Sequence, residues 1–369
     1  MKLHTFLLTC PLWCETFAKK EVQKQGYKLK EVKDKAIYFT WDIDALARIN
    51  LWSRFGNIVY YVVKEYKNIT NFDSYFESIF QINWKKYISH DTEVIIKATS
   101  IKSQLNSISS LQWIAKKAIV KNLVGNNFLK ENPQVWSIEI RILIQDDDLK
   151  ILLNSSGEWL HKRGYRAKTG EAPLKENIAA AIITLSSWKF SEPLYDIFCG
   201  SGTIWIEAAM IAYNIAPWLK RRFACESWNW IPSSIFETEK VRAHQKQFNG
   251  KYHIYCTDID KEIIEQASYN AKLAWLKDVI KFWVQNYTTY MRRDISWWLI
   301  SNPPYGIRLT QGDIDQIHHD IAKIFKSNQN LQWGIITTHS EFENYTQIKY
   351  KKRKLYNGWE QAYFYKKEK

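Results

Sequence analysis

Hydrophobic and polar side chains alternate along several short segments in the first 155 residues. The clearest is 135–144, where Ile138, Ile140, Ile142 and Ile144 occupy every second position. Because successive side chains of a strand point to opposite faces, a period of two predicts strands that are buried on one side. Further strands are predicted at 3–9, 36–40, 58–63, 93–98 and 149–154, and helices at 15–26, 42–53 and 109–124. An acidic turn at 146–148 predicts a hairpin between the last two strands.

From about residue 165 the pattern changes to apolar strands that alternate with helical segments. Strands are predicted at 193–198, 252–257, 279–284, 296–301 and 331–337, and helices at 174–188, 203–214, 260–274 and 313–326. This alternation predicts a parallel sheet covered by helices on both faces, an α/β domain that follows a smaller α+β region. The stretch 217–250 is rich in Arg, Lys and aromatic residues and has the character of an insertion.

Composition changes the picture in two ways. The chain has 369 residues, 46% hydrophobic and 24% charged, which is typical of a folded protein with two or three domains. Its formal net charge of +14 favours a polyanionic partner such as nucleic acid, although a general solubilising charge gives the same count. The five cysteines form no CxxC pair, so we expect free thiols, no metal and a cytoplasmic location. No window reaches the roughly 18 apolar residues that a membrane span requires, so no membrane-spanning segment is expected.

A glycine turn follows the strand predicted at 193–198. Its sequence is Asp196-Ile197-Phe198-Cys199-Gly200-Ser201-Gly202-Thr203. Glycines at such a turn let the backbone approach a ligand closely, in the crevice beyond the carboxyl ends of the strands. A glycine turn alone is also common in structural roles, but the strand, the helix and the acidic residue around it favour a cofactor site.

Two acidic residues follow the next strand, in Thr257-Asp258-Ile259-Asp260. A carboxylate at this place can accept both hydroxyls of a ribose, as in dinucleotide-binding folds. We therefore assign Asp258 to a ribose, and Asp260 to the N-cap of the following helix.

The most specific motif is Ser301-Asn302-Pro303-Pro304-Tyr305-Gly306. Two prolines fix the backbone and lack amide donors, so the Asn302 side chain and nearby carbonyls are presented as rigid acceptors. An aromatic side chain beside them can stack on a flat base. Acceptors on both hydrogens of an exocyclic amine favour a pyramidal nitrogen whose lone pair points at a methyl sulfonium. Such a reaction depends on alignment and electrostatics, without a catalytic triad or a metal.

The chain resembles the THUMP-containing RNA guanine-N2 methyltransferases, most closely the bacterial 23S rRNA enzymes of that group. The matching segments, spread over nearly the whole chain, are Thr9–Leu12, Ile114–Val120, Ser156–Glu158, Leu160–Arg166, Ala172–Glu176, Phe198–Thr203, Ile206–Ala209 and Asn302–Gly306. The resemblance implies a ferredoxin-like domain at 1–65, a THUMP RNA-binding domain at 66–156 and a Rossmann-like methyltransferase domain at 165–369.

The resemblance also implies S-adenosylmethionine as the methyl donor. The expected catalytic residues are Asn302, Pro303 and Tyr305. The expected donor-binding residues are Asp196, Phe198, Gly200, Gly202, Thr203, Asp258, Ile259, Asn286 and Asn302. The family often has Asp at the end of the third strand, where this chain has Gln285-Asn286, so an Asn286 contact to the adenine departs from the family pattern.

RNA is the expected partner, with 23S rRNA favoured over tRNA. The expected RNA-binding residues are Lys102, Lys116, Lys117, Arg141, Lys162, Arg163 and Arg166, and a basic run at 349–354 is a further candidate. A solvated helix face is the alternative explanation for Lys116 and Lys117. Methylation of adenine N6 and a catalytically inactive RNA-binding factor are alternative functions, and the intact motifs disfavour the second. The oligomeric state is not predicted.

Tryptophan is unusually abundant, with 18 residues against only 13 glycines. Trp13, Trp113, Trp218, Trp275 and Trp359 occupy positions where the family pattern often has glycine, and Trp205 lies beside the predicted cofactor turn. One hypothesis is that the gene comes from a lineage that reads UGA as glycine, so that these positions are glycine in the native protein.

Overall fold

The computed structural model describes residues 3–89, 91–125, 137–166, 174–292, 296–304, 311–358 and 360–368. Up to residue 160, the elements are β1 (His4–Thr9), α1 (Glu15–Lys24), β2 (Lys28–Lys33), β3 (Ala36–Trp41), α2 (Ala45–Trp52), β4 (Ile58–Tyr66), α3 (Phe72–Phe80), β5 (Glu93–Ile101), α4 (Ile108–Val124), β6 (Ser137–Gln145) and β7 (Asp148–Asn154).

After residue 160, the elements are α5 (Glu176–Ser186), β8 (Leu194–Asp196), α6 (Thr203–Ala212), α7 (Ser234–Gln245), β9 (Ile254–Asp258), α8 (Lys261–Leu273), β10 (Ile280–Val284), β11 (Trp298–Ser301), α9 (Gln311–Ser327), β12 (Gln332–Thr337), α10 (Glu343–Thr346), β13 (Tyr350–Asn357) and β14 (Glu360–Lys367). Short 3₁₀ helices cover Trp84–Lys86, Ala224–Ser227 and Tyr287–Arg292. Among the described helices, none has the length and apolar character that a membrane crossing requires.

The chain divides into two compact units. One comprises Met1–Cys10, Ala18–Leu160 and Trp218–Arg242, and the other comprises Pro11–Phe17, His161–Pro217 and Ala243–Lys369. The predicted boundaries differ from this division, because they assign the segment 218–242 to the methyltransferase domain. Glu239 of that segment accepts hydrogen bonds from Arg48 Nε and Trp52 Nε1, both at 3.0 Å. These contacts join residues almost 200 positions apart, which local sequence patterns do not reveal.

The first unit contains a sheet in the order β2-β3-β1-β4-β7-β6-β5, in which only β5 and β6 pair in parallel. The predicted alternation is present in β6, where four isoleucines are buried and the residues between them are partly exposed. Antiparallel pairing of β4 with β7 joins the predicted pieces 1–65 and 66–156 in this one sheet. The predicted hairpin between β6 and β7 is also present, with positive φ at Asp146 and Asp147.

The second unit contains a sheet in the order β10-β9-β8-β11-β12-β14-β13, parallel except for β14 and the β13–β14 hairpin. One apolar cluster, with side chains from α5, α6 and α8, packs on one face. A second cluster, which includes Ile321, Ile324 and Phe325 of α9, packs on the other. Helices thus cover both faces, as the alternation of elements predicts, whereas the C-terminal hairpin is an addition that the sequence pattern did not indicate.

The tryptophans fall into two backbone classes. Trp13 and Trp275 have φ of 77° and 62°, in the left-handed region that glycine adopts without strain. Trp113 and Trp205 instead lie within α4 and α6, and Trp218 is buried. Trp359 lies outside the described residues. The glycine hypothesis therefore has backbone support at two positions, and helix geometry gives it none at Trp113 and Trp205.

Candidate active site

Four parallel strands of the second unit end at one edge of its sheet. They lie in the order β10-β9-β8-β11, so that the chain order reverses between β8 and β11. In open α/β sheets, ligands bind in the crevice outside the carboxyl ends of the strands at such a reversal. The glycine turn, Asp258, Gln285-Asn286 and Asn302 each follow one of these four strands, so the sheet brings the predicted motifs to a common edge.

The glycine turn between β8 and α6 has the conformation that its sequence predicts. Gly200 and Gly202 have φ of 51° and 82°, and Gly202 is the N-cap residue of α6. A Cβ on Gly202 would lie 3.3 Å from the Cβ of Ala267 in α8, whereas a Cβ on Gly200 would meet no atom within 4 Å. Gly202 therefore allows close helix packing, and Gly200 leaves open space at the turn for a ligand.

Asp258, at the end of β9, is tied to the same turn. Its Oδ2 accepts a hydrogen bond from Gly200 N at 3.1 Å, and its Oδ1 accepts one from Asp260 N at 3.2 Å. A carboxylate offers about four acceptor positions, so two remain for the hydroxyls of a ribose. Asp260 caps α8 through Glu262 N at 2.8 Å, which confirms its predicted N-cap role. Ile259, between the two, has a side chain that is 66% exposed.

Asp196 lies beneath the turn and is 1% exposed. It accepts hydrogen bonds from Phe198 N at 2.8 Å, from Trp205 Nε1 at 2.6 Å and from the Ser301 hydroxyl. Burial raises the pKa of Asp196 to about 7, against the opposing effect of these hydrogen bonds. This carboxyl group therefore links the end of β8 to the end of β11, and it ionises near neutral pH.

Asn302 is held rigidly at the end of β11. Ser301 before it is buried and bonded to Asp196, and Pro303 after it is also buried. The Asn302 Oδ1 atom is buried, and no donor in the described part of the chain bonds to it. A buried acceptor without a partner costs about 1–3 kcal/mol, which a bound donor group would recover. Tyr305, the predicted stacking residue, lies outside the described residues.

The end of β10 carries a donor that the sequence did not single out. Asn286, the predicted adenine contact, is exposed, and its Oδ1 accepts from Thr288 N and Oγ1, both at 3.0 Å. Gln285 Oε1 accepts a hydrogen bond from Trp283 Nε1 at 2.9 Å, and this bond orients the Gln285 amide. Its Nε2 is then buried without a partner among the described residues. Gln285 therefore offers an oriented donor beside Asp258, whose carbonyl accepts the Gln285 N–H at 2.8 Å.

The remaining loop residues line the same turn. The Phe198 ring lies 4.8 Å from the ring of Tyr287, which follows β10. Thr203 begins α6, is buried, and has its hydroxyl 3.2 Å from that of Ser201. The predicted donor-binding residues thus lie at the ends of β8, β9, β10 and β11 or on the loops that follow them, at one edge of the sheet.

The predicted RNA-binding residues are not brought together in the same way. In the first unit, Lys102 and Lys117 are exposed, and Lys117 Nζ lies 4.8 Å from the centre of the Trp113 ring. Lys116 is partly exposed on the same helix. Arg141 lies on β6, where it donates to Thr99 Oγ1 at 2.8 Å. In the second unit, Lys162 is exposed.

Two predicted RNA contacts need correction. The Arg163 side chain is fully buried and lies 3.1 Å from the buried Glu207 of α6, which also accepts from the Tyr165 hydroxyl at 3.0 Å. Arg166 pairs with Glu176 at 2.8 Å, with both side chains less than 10% exposed. Arginines engaged with buried carboxylates are not free to contact phosphates. Their role is to anchor the segment 161–166 to α5 and α6.

Comparison with known proteins agrees with this architecture. Residues 163–361 match the RMKL-like methyltransferase domain, and residues 5–60 match the RlmL ferredoxin-like domain. The predicted fold class is thereby confirmed. A THUMP domain at 66–156 stays a prediction.

Among individual proteins, "Putative RNA methyltransferase YpsC" from Bacillus subtilis is 36% identical, with 99% of this chain and 96% of that protein covered. "Ribosomal RNA large subunit methyltransferase K/L" from Shewanella baltica is 32% identical over 89% of this chain, but the match covers only 48% of that protein. The chain thus spans about half the length of the K/L proteins.

Two solved structures are similar over almost the whole chain. A "putative methyltransferase", SMU.472, in complex with SAH has a TM-score of 0.91 at 33% identity, with 99% of this chain and 98% of that chain covered. A "predicted N6-adenine-specific DNA methylase" from Listeria monocytogenes has a TM-score of 0.91 at 34% identity, with 100% and 97% covered.

Proposed function

Because the chain belongs to the family defined by the RMKL-like methyltransferase domain, we propose that it methylates the exocyclic N2 amine of a guanine in 23S rRNA. The observation that carries the proposal is the buried Asn302 Oδ1, an acceptor without a partner among the described residues, at the edge where the glycine turn opens. An amine hydrogen is the donor that this acceptor lacks.

The methyl donor is S-adenosylmethionine, which supplies a methyl group on a sulfonium and leaves as a neutral thioether. The residues of the crevice suit its parts. The two open acceptor positions of Asp258 fit the ribose hydroxyls, and the Gln285 Nε2 donor fits a ring nitrogen of the adenine. The space beside Gly200 allows the donor to approach the backbone.

Asn302 would act on the acceptor amine. Its Oδ1 accepts one amine hydrogen, and the fixed backbone of Pro303 presents a carbonyl for the second. The nitrogen lone pair then turns out of the base plane toward the methyl group; as the N–C bond forms, the S–C bond breaks, and the methylated nitrogen loses one of its two protons to water. Since Ser301 is bonded to Asp196 at the start of the glycine turn, the acceptor and the donor loop share one rigid frame. Catalysis would come from alignment within that frame.

Large-subunit ribosomal RNA is favoured because the relative from Shewanella baltica is named for it. The same chemistry on tRNA is the alternative substrate. A second candidate reaction is N6-adenine methylation, which the name of the Listeria monocytogenes structure favours. The acceptor geometry around Asn302 suits any exocyclic amine, so the distinction between guanine and adenine depends on the identity of the product.

The experiment is to incubate the full chain with labelled S-adenosylmethionine and, separately, unmodified 23S rRNA and unmodified tRNA. Each RNA is then digested to nucleosides, which are identified by mass spectrometry. The proposal predicts N2-methylguanosine from 23S rRNA. Label in methylated adenosine would overturn the guanine assignment, and label in tRNA alone would overturn the ribosomal assignment.

A further inference from the structure

The β13–β14 hairpin at the end of the methyltransferase sheet has one apolar face. Leu355, Ala362 and Phe364 are buried there and belong to the cluster that packs with α5 and α6. The opposite face has a different character. Its residues, which we call the lysine–tyrosine face, are Lys352, Lys354, Tyr356, Tyr363 and Tyr365; Tyr365 is buried in the cluster that packs with α9, whereas the other four are partly or fully exposed.

Positive charge and aromatic rings alternate on the lysine–tyrosine face. Strand pairing sets Lys352 opposite Tyr365 and Lys354 opposite Tyr363. Lys352 Nζ lies 4.8 Å from the centre of the Tyr363 ring, and Lys354 Nζ lies 5.3 Å from that of Tyr356. Single-stranded nucleic acids are bound by this combination, in which cations contact phosphates and rings stack on bases.

The two lysines differ in how far their charge is neutralised. Lys352 Nζ lies 3.1 Å from Glu343 Oε1 and also donates to the Ser340 carbonyl. Lys354 is exposed, and none of the carboxylates in the described ranges forms an ion pair with it. A hydrogen bond to Tyr356 raises the pKa of Lys354 further, so it stays protonated. Lys354 therefore presents an uncompensated positive charge.

The lysine–tyrosine face reaches the same edge of the sheet as Asn302. Ser301 pairs with Ile335 of β12, Thr337 of β12 pairs with Tyr363, and Tyr363 pairs with Lys354. Neighbouring strands are about 4.8 Å apart and a strand rises about 3.3 Å per residue, so three spacings across and two residues along place Lys354 roughly 16 Å from the end of β11. A strand of RNA whose target base sits at Asn302 can span this distance with its flanking nucleotides.

We propose that the lysine–tyrosine face binds the single-stranded RNA segment that flanks the target nucleotide, with a phosphate at Lys354 and a base against Tyr356 or Tyr363. The methyltransferase unit then has its own RNA-binding surface. This inference rests on the proposed function only in taking RNA as the substrate, and it does not depend on which base is methylated.

The test measures binding of a fluorescein-labelled oligouridylate of about 12 nucleotides, within the range of single-strand site sizes, to the full chain at several KCl concentrations. The variants are Lys354→Ala and Tyr356→Leu. The matched control is Lys351→Ala: this lysine belongs to the basic run 349–354, but it lies on the other face of the strand, where its charge is paired with that of Glu368 at 3.5 Å. S-adenosylhomocysteine binding, measured by calorimetry, verifies that each variant is folded.

Loss of one phosphate contact should reduce the slope of log Kd against log salt concentration by about 0.7 in Lys354→Ala. Loss of stacking should raise Kd at least about fivefold in Tyr356→Leu. Lys351→Ala should match the wild type. The proposal is overturned if the wild type does not bind the oligonucleotide, or if Lys354→Ala and Lys351→Ala behave alike. Failure of the guanine assignment would instead appear only in the identity of the methylated nucleoside.

Discussion

Trp275 lies in a tight turn after α8 and combines positive φ with 70% exposure of its side chain. A left-handed backbone costs a residue with a Cβ about 1–2 kcal/mol, and an exposed ring recovers little of that by packing. We expect Trp275→Gly to raise the free energy of unfolding by about 1 kcal/mol, measured by urea denaturation.

The control for this prediction is Trp113→Gly. Trp113 is 64% exposed, but it lies within the 17-residue helix α4, where glycine costs about 1 kcal/mol relative to a good helix former. The two substitutions should therefore change stability in opposite directions. If both substitutions lowered the free energy of unfolding, the backbone at Trp275 would not be strained. Intact mass of the native protein tests the genetic-code hypothesis directly, since a mass that matches the printed sequence excludes it.

The raised pKa of Asp196 predicts that the stability of the protein depends on pH. Burial raises its folded-state pKa to about 7 from an ordinary value of 3.8, so between these pH values the folded protein retains a proton that the unfolded chain releases. The free energy of unfolding that this group contributes must then fall as pH rises from about 4 to about 7, and level off above that. Asp196→Asn should remove this component.

The measurement compares urea denaturation of the wild type and Asp196→Asn at pH 5 and pH 8. Other titrating groups are common to both proteins, so the difference between their pH dependences isolates Asp196. Identical pH dependence in the two proteins would show that the carboxyl group is not perturbed by burial.

At the scale of elements, the ion pair beneath α6 fixes the segment that leads into the methyltransferase sheet. Arg163 and Glu207 are both fully buried, and loss of one partner leaves an uncompensated charge. We expect Arg163→Met to lower the free energy of unfolding by about 3–5 kcal/mol. Lys162→Met, at the exposed neighbouring position, is the matched control and should leave stability unchanged.

The same pair of variants separates structural from RNA-binding roles. If Arg163 anchors α6, any folded Arg163→Met protein at low temperature should bind RNA with an unchanged salt dependence. If Arg163→Met instead had a normal free energy of unfolding and a reduced slope of log Kd for RNA against log salt concentration, Arg163 would be a phosphate contact after all.

Local chemistry explains which elements the sequence could predict. The turn between β8 and α6 was predictable because its glycines and flanking pattern lie within eight residues, and the β6–β7 hairpin was predictable from alternation and an acidic turn. The β13–β14 hairpin was not predicted because β13 carries many charges. Lys351, Lys352 and Lys354 hide the alternation of polar and apolar positions in this strand, of which only Leu355 is buried. The burial of Arg163 was missed because its partner, Glu207, is 44 positions away in the chain.

At the scale of the whole molecule, long-range pairing assembles a site from motifs about 100 residues apart. The motifs that follow the strands, from Asp196 to Asn302, converge because β8, β9, β10 and β11 are parallel neighbours. The Asp258 carboxylate and the Asn302 amide at these ends were predicted from the sequence as candidate site groups. The free amide of Gln285 could not be predicted, because it depends on the Trp283 hydrogen bond that orients it.

The central claim is that Asn302, although it is also among the expected donor-binding residues, acts mainly by aligning the acceptor amine and contributes little to the affinity for the methyl donor. The direct measurement is the single-turnover methylation rate of Asn302→Ala on saturating RNA, together with its Kd for S-adenosylhomocysteine. Asn344→Ala, which alters an exposed asparagine in the same unit, is the control. The account predicts a rate at least about 100-fold lower, with Kd unchanged. A near-normal rate for Asn302→Ala would contradict it.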